Sequence, residues 1–199
     1  LAGSGVGFGA AIDTDVVFDR MGIPFIPSKR IKGCLRESAQ EIQDMLSMAG
    51  INEHSIDISK TFGTPGEERP AVVYFSNLTI PDYKQNRNWL QYFVQNEEYS
   101  TFVTPNQIRE TFTEIFQQTS INEDGIALEH SLRTIRVLKQ GLKFSGNIAI
   151  EKEDEQIIKT LILAGLNFRR LGTKRNRGFG SIRCNLKKGN GELFKLDEL

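Results

Sequence analysis

The sequence predicts an α+β fold, a ferredoxin-like β-α-β-β-α-β core with a long middle insertion, and three observations carry that prediction. Two stretches, residues 28–46 and 153–168, repeat apolar residues at helical spacing. Extended, β-branched segments precede and follow them in the required order. Turn-rich breaks separate the pieces. A chain of 199 residues suits a single domain over 1–199, with an insertion near 52–118 and a projecting, thumb-like arm near 119–141.

The opening "LAGSGVGFGA" reads as the end of something already under way, so the first core strand is expected to be missing. Its "GVGFGA" matches a dinucleotide-binding fingerprint, but such a motif needs a helix directly after it, and "AIDTDVVFD" is extended instead. Gly3, Gly5, Gly7 and Gly9 are therefore read as a flexible loop. A turn at "RMGIP" and two prolines, Pro24 and Pro27, lead to a helix that starts at Ser28 as N-cap, with Ile31, Cys34, Leu35, Ala39, Ile42, Met45 and Leu46 on one face. Gly33, inside that helix, predicts the close approach of another backbone. "GTPGEERP" breaks the chain, and "AVVYFSNLTI" reads as a strand. Residues 87–95 and 105–118 read as helices, the second with Pro105 at its first position. Trp89, Tyr92, Phe93 and Phe102 are assigned to the core rather than to base stacking, since aromatics at helical spacing usually pack inward. A turn at 123–125 and the alternating "TIRVLK" make 119–141 a hairpin-like arm. "LKFSGNIAIE" is a strand, 153–168 a helix with Ile157, Ile158, Leu161 and Leu166 inward, and "FGSIRCNL" the returning strand.

Charge is balanced overall, 25 basic against 25 acidic residues, but not locally. Between Phe168 and Lys188 eight basic residues occur with no acid. Charge alone is equally compatible with a solvated surface loop. The glycines of "LGTKRNRGFGSIRC" favour an anion site, because Gly172, Gly178 and Gly180 permit positive φ and let peptide N–H groups converge while Lys174, Arg175 and Arg177 close around the anion. A second basic cluster, Lys29, Arg30, Lys32 and Arg36, sits in the first turns of the helix from Ser28, where the macrodipole disfavours cations. A bound phosphate reverses that penalty. Two separate cysteines, Cys34 and Cys184, and two isolated histidines, His54 and His130, point to a reducing compartment and away from zinc. With no apolar run long enough for a membrane span, the expectation is a cytoplasmic protein without a membrane partner, and the Asn77 sequon is then incidental.

Three stretches, "GIPFIPSKRIKGCLRESA", "TFGTPGEERPAVVYFSNLTI" and "LGTKRNRGFGSI", together resemble the RAMP superfamily of CRISPR effector proteins, which are built on RNA-recognition-motif-like ferredoxin folds. "AIDTDVVFD" is similar to the corresponding segment of the repeating backbone subunits of type III effector complexes, and of a larger end-positioned subunit. The resemblance implies that Asp13 cuts target RNA with Mg²⁺ or Mn²⁺. It implies that Lys29, Arg30, Lys32 and Arg36, with Gly172, Lys174, Arg175, Arg177, Gly178 and Gly180, hold a guide RNA, and that the arm wedges the guide–target duplex beside other RAMP subunits. Asp13, Asp15 and Asp19 stand at even spacing, so an extended segment places them on one face. Spacing alone favours turn capping over catalysis for all three. The resemblance reverses that order for Asp13 only. A non-cutting structural subunit is the alternative, and a guide-processing endoribonuclease a third, which would call on a histidine.

Overall fold

The computed structural model describes residues 12–51, 56–64, 66, 72–172 and 178–194. In chain order its elements are β1 (Phe25–Ile26), α1 (Ser28–Met48), α2 (Ile58–Phe62), β2 (Val73–Phe75), β3 (Leu78–Thr79), α3 (Tyr83–Gln95), α4 (Pro105–Phe112), β4 (Thr113–Gln118), β5 (Arg133–Leu138), β6 (Ile148–Ile150) and α5 (Glu155–Asn167). The strands form three antiparallel pairs, β1 with β3, β2 with β6 and β4 with β5. They gather into two compact units, which we call helical and arm units.

The helical unit takes in Pro27–Asn77, Gly146–Leu171 and the chain from Ser181. Ile31, Leu35 and Ala39 of α1 are buried, as are Ile157, Leu161 and Ala164 of α5, and the two helices pack on each other. Spacings of three and four residues put each set on one stripe. Asn167 Nδ2 ties the pair further, donating to Ser38 O at 3.2 Å and Glu41 Oε2 at 2.8 Å. β2 and β6 run antiparallel with Val73 opposite Ile150 and Phe75 opposite Ile148. Phe62 of α2 stacks on Phe75, ring centroids 6.1 Å apart. Ser28 is not the N-cap of α1: Pro27 holds that position, and the Ser28 N–H donates instead to Asn77 Oδ1 at 2.9 Å. Leu166 is exposed, because the inward stripe of α5 runs through Leu161, Ala164, Gly165 and Phe168.

The arm unit takes in the chain up to Ile26, Leu78–Ser145 and Gly172–Gly180. Ile23, Ile80 and Ile108 form its first core, with Tyr83, Leu90, Val94 and Phe112 around them. Its second core is Ile135 and Val137 of β5 with Phe179 against them. α4 starts at Thr104 with a reciprocal capping box to Gln107 and Pro105 at N1. The helix expected over 105–118 ends at Phe112, since 113–118 is a strand paired residue for residue with 133–138. β-Branched Thr113 and Ile115 with aromatic Phe116 suit a ladder better than a third helical turn.

Other expected strands are shorter than the sequence suggests. "AVVYFSNLTI" breaks at Ser76 and Asn77, whose side chains bond outside the ladder, so β2 and β3 fall in different units. In "FGSIRCNL" the described residues show only an isolated bridge, Ser181 to Arg170. The space beside Gly33 is open, contrary to the expected backbone approach. It is instead Gly22, with φ of +86°, that lies against backbone, facing the Pro105 carbonyl.

Candidate nucleic-acid interface

The segment before the proline turn forms the centre of the candidate site. Asp13 N donates to Thr134 O at 2.9 Å, and Arg136 N to Thr14 O at 3.0 Å, so the segment lies parallel along β5 at the base of the arm. Asp13 is exposed, and its Oδ2 accepts the Thr134 N–H at 2.7 Å. Its second oxygen keeps no hydrogen bond to the described residues.

The three aspartates do not share a surface. Asp15 is 5% exposed; it accepts the Val16 N–H at 2.7 Å and Arg136 Nη1 on both of its oxygens, at 3.0 and 3.2 Å. Asp19 closes the following turn, accepting the Met21 and Ile23 N–H groups at 2.9 Å, and takes the Tyr83 hydroxyl at 2.9 Å on its other oxygen. Burial first, and then that bond to Asp19, raise the Tyr83 phenol above its ordinary pKa. The expected even-spaced face is therefore not formed: Asp13 is exposed, Asp15 is buried on Arg136 and Asp19 is committed to the turn and to Tyr83. Among the described residues no group of three His, Cys, Asp or Glu side chains is placed to hold a metal.

The basic cluster of α1 is on the helical unit. Lys29 is exposed, Arg30, Lys32 and Arg36 are half-exposed, and no acid stands in the first turn. Gly33 opens the same surface. The glycine loop belongs to the arm unit, and all three of its glycines have positive φ: +101° at Gly172, +80° at Gly178 and +81° at Gly180. That conformation is the one the anion-nest reading required. Lys174, Arg175 and Arg177 lie outside the described residues.

The arm itself is a β-hairpin whose tip, 119–132, displays Ile121, Ile126, Leu128 and Leu132 to solvent. Asn122 holds its turn, accepting the Asp124 and Ile126 N–H groups. Sequence reasoning missed Arg136, although the period-two pattern of "RTIRVL" already placed it opposite the buried Ile135 and Val137. It also assigned Trp89, Tyr92 and Phe102 to the core, and all three are exposed. Amides and cations alternating with those aromatics were the available signal. No helix among the described residues is long and apolar enough to cross a membrane.

Comparisons with known proteins bear on the fold and the lineage. No curated protein matches the chain. Two solved chains are similar in fold. One, from the cryo-EM structure of the type III-B Cmr-beta complex bound to cognate target RNA, is 14% identical with a TM-score of 0.57, covering 89% of this chain and 90% of its own. The other, from the apo state of Cmr-beta, is 16% identical with a TM-score of 0.58, covering 94% and 93%. The family model of the RAMP superfamily matches residues 1–183, a span that holds the Asp13 segment, the basic helix and the glycine loop, and the chain belongs to that superfamily.

Proposed function

We propose that this RAMP protein is a guide-RNA-binding subunit of a type III CRISPR effector complex and cleaves guide-paired target RNA at Asp13. The observation that carries the cutting role is the state of that carboxylate: exposed, anchored at one oxygen by the Thr134 N–H and open at the other. RNA brings its own nucleophile, the 2′-hydroxyl, and an oriented carboxylate can take its proton. Anchoring at the arm's base fixes the side chain where a duplex wedged by the arm would pass. The residues fit a Mg²⁺ or Mn²⁺ only through the one open Asp13 oxygen, the other ligands coming from phosphate and water; such an ion would stabilise charge on the scissile phosphate.

Guide binding rests on the cations of α1 and on the nest-like glycines, which recognise backbone rather than base sequence. The neighbours named above are parts of assemblies, one of them bound to target RNA, which supports guide RNA, target RNA and other RAMP subunits as partners here. In the helical unit, α1, β2, β6 and α5 follow the order of the inner elements of a ferredoxin-like core, and we read the unit as that core. A non-cutting structural subunit is the second reading, favoured by the commitment of Asp15 and Asp19 to protein partners. The deciding experiment is cleavage of a guide-paired RNA by the assembled complex with Asp13 intact and with Asp13→Asn. Loss of cleavage with unchanged RNA affinity supports the cutting role; an inert wild-type complex leaves the structural one.

A further inference from the structure

Helix α3 presents a face that neither guide binding nor cleavage at Asp13 uses. Its inner side, Leu90 and Val94, packs on the Ile23, Ile80 and Ile108 core. Its outer side leaves Trp89 57% and Tyr92 54% exposed. These rings are organised: Trp89 stacks on Phe93 with centroids 6.2 Å apart and planes 25° from parallel, while Tyr92 meets Phe93 edge-on. Beside Trp89 lies a pocket of about 500 Å³. Ile80, Leu90 and Phe112 line it with apolar surface, and exposed Asn86 and Lys143 contribute polar groups.

We propose that this pocket is a stacking platform for a base of single-stranded RNA, distinct from the basic helix and the glycine loop. A nucleobase has flat apolar faces and a polar edge. Trp89 offers a face, and Asn86, whose Nδ2 donates one N–H to the Pro81 carbonyl at 3.1 Å, keeps its second N–H and its oxygen for the edge. Charge selects the occupant. Over Tyr83–Gln95 the helix carries Lys84 and Arg87 and no acid, Asp82 at its N-cap adds one acid, and Lys143 adds a third cation at the pocket, so cations still prevail. Arg87 is partly offset by Asp19 at 3.9 Å, which leaves Lys84 and Lys143 to attract phosphate. An apolar protein segment would fill the same volume, but the cations add nothing to holding it, whereas a polyanion uses both features. Stacking is tolerant of base identity, so the platform would suit RNA whose sequence is read elsewhere by pairing.

Trp89 is the single tryptophan of the chain, so its emission reports this pocket alone. Titrating the full chain with a short oligoadenosine should give saturable quenching. Trp89→Ala should weaken binding of the same labelled oligonucleotide, followed by anisotropy, about tenfold, and Trp89→Phe should keep most of it. Because Trp89 is exposed, both variants should melt as the parent does; if the alanine variant does not, the phenylalanine variant and the parent's quenching still decide. Removing the guide-binding cations through Lys29→Ala, Arg30→Ala, Lys174→Ala and Arg175→Ala should lower affinity yet leave the saturating quench unchanged. Anisotropy that reports binding while Trp89 emission stays constant would overturn the platform. So would emission that answers to a co-assembled RAMP subunit and not to RNA, which would make the face a protein contact.

Discussion

At the scale of single residues, neighbours decide what the same chemical group does. Asp13 and Asp15 stand two positions apart, yet one is exposed on a backbone amide and the other is buried on a guanidinium. Asp13→Asn retains an oxygen for the Thr134 N–H, so stability should hold in a melting experiment while cleavage by the complex is lost. Asp15→Asn strands the Arg136 cation, whose Nε is already without a partner, and should cost about 3 kcal/mol in a denaturant titration. Equal stability losses at the two sites would contradict these assignments. Glycine gives a matched contrast. Gly33→Ala enters open space within a helix and should stabilise by about 1 kcal/mol. Gly22→Ala combines a positive φ with a collision against the Pro105 carbonyl and should destabilise by at least about 2 kcal/mol. The sequence assigned the close backbone approach to Gly33 rather than to Gly22, because the atoms that decide it, those of Pro105 and Arg109, come from residues far along the chain.

At the scale of elements, what was legible is what local chemistry determines. α1 and α5 announce themselves through apolar spacing, and α4 through Pro105 at its first position. β4 was hidden, since Ile108, Phe112, Ile115 and Phe116 satisfy helical spacing while the ladder to 133–138 is a long-range fact. The start of α5 lends itself to a test by pH. Asp154 caps it, accepting the Gln156 and Ile157 N–H groups, and lies 2.6 Å from Lys60 Nζ. The Lys60 hydrogen bond first, and then the Ile157 N–H, hold the Asp154 carboxyl below the ordinary carboxylate range. A lowered folded-state pKa means that the stabilisation is complete above the ordinary value of 3.8 and fades as pH falls through the lower, folded one. Asp154→Ala should lower the melting temperature at neutral pH, and its deficit against the parent should shrink in acid below 3.8. Asp154→Asn, still a good cap, should fall between them. A deficit independent of pH would show that the cap acts without its charge.

At the scale of the whole molecule, the two long helices α1 and α5 were readable and the division into units was not, because one stretch of sequence read as a single strand, residues 72–80, serves both. The arm illustrates the consequence. The turn at Gly125 and the alternation of "TIRVLK" were legible, but the partner strand, 113–118, was not, and the base of the hairpin is core: Ile135 is 1% exposed and Arg136 holds Asp15. Replacing only 121–130 by Asn-Gly, a turn suited to joining paired strands, should therefore preserve folding and guide binding while disturbing cleavage spacing on the duplex. The two basic clusters belong to different units, α1 to the helical and the glycine loop to the arm unit, so their shares in the proposed RNA binding can be tested separately through its salt dependence. If they neutralise about four phosphates of single-stranded RNA, log affinity should fall with log salt at a slope of about −3. Lys29→Ala with Arg30→Ala, and separately Lys174→Ala with Arg175→Ala, should each flatten that slope by about 1.4 if each pair neutralises two phosphates. Both pairs should weaken binding to every sequence alike, since phosphate contacts carry no base information. A slope flattened by only one pair would assign the backbone contacts to that unit alone, and a slope unmoved by either would remove both clusters from the interface.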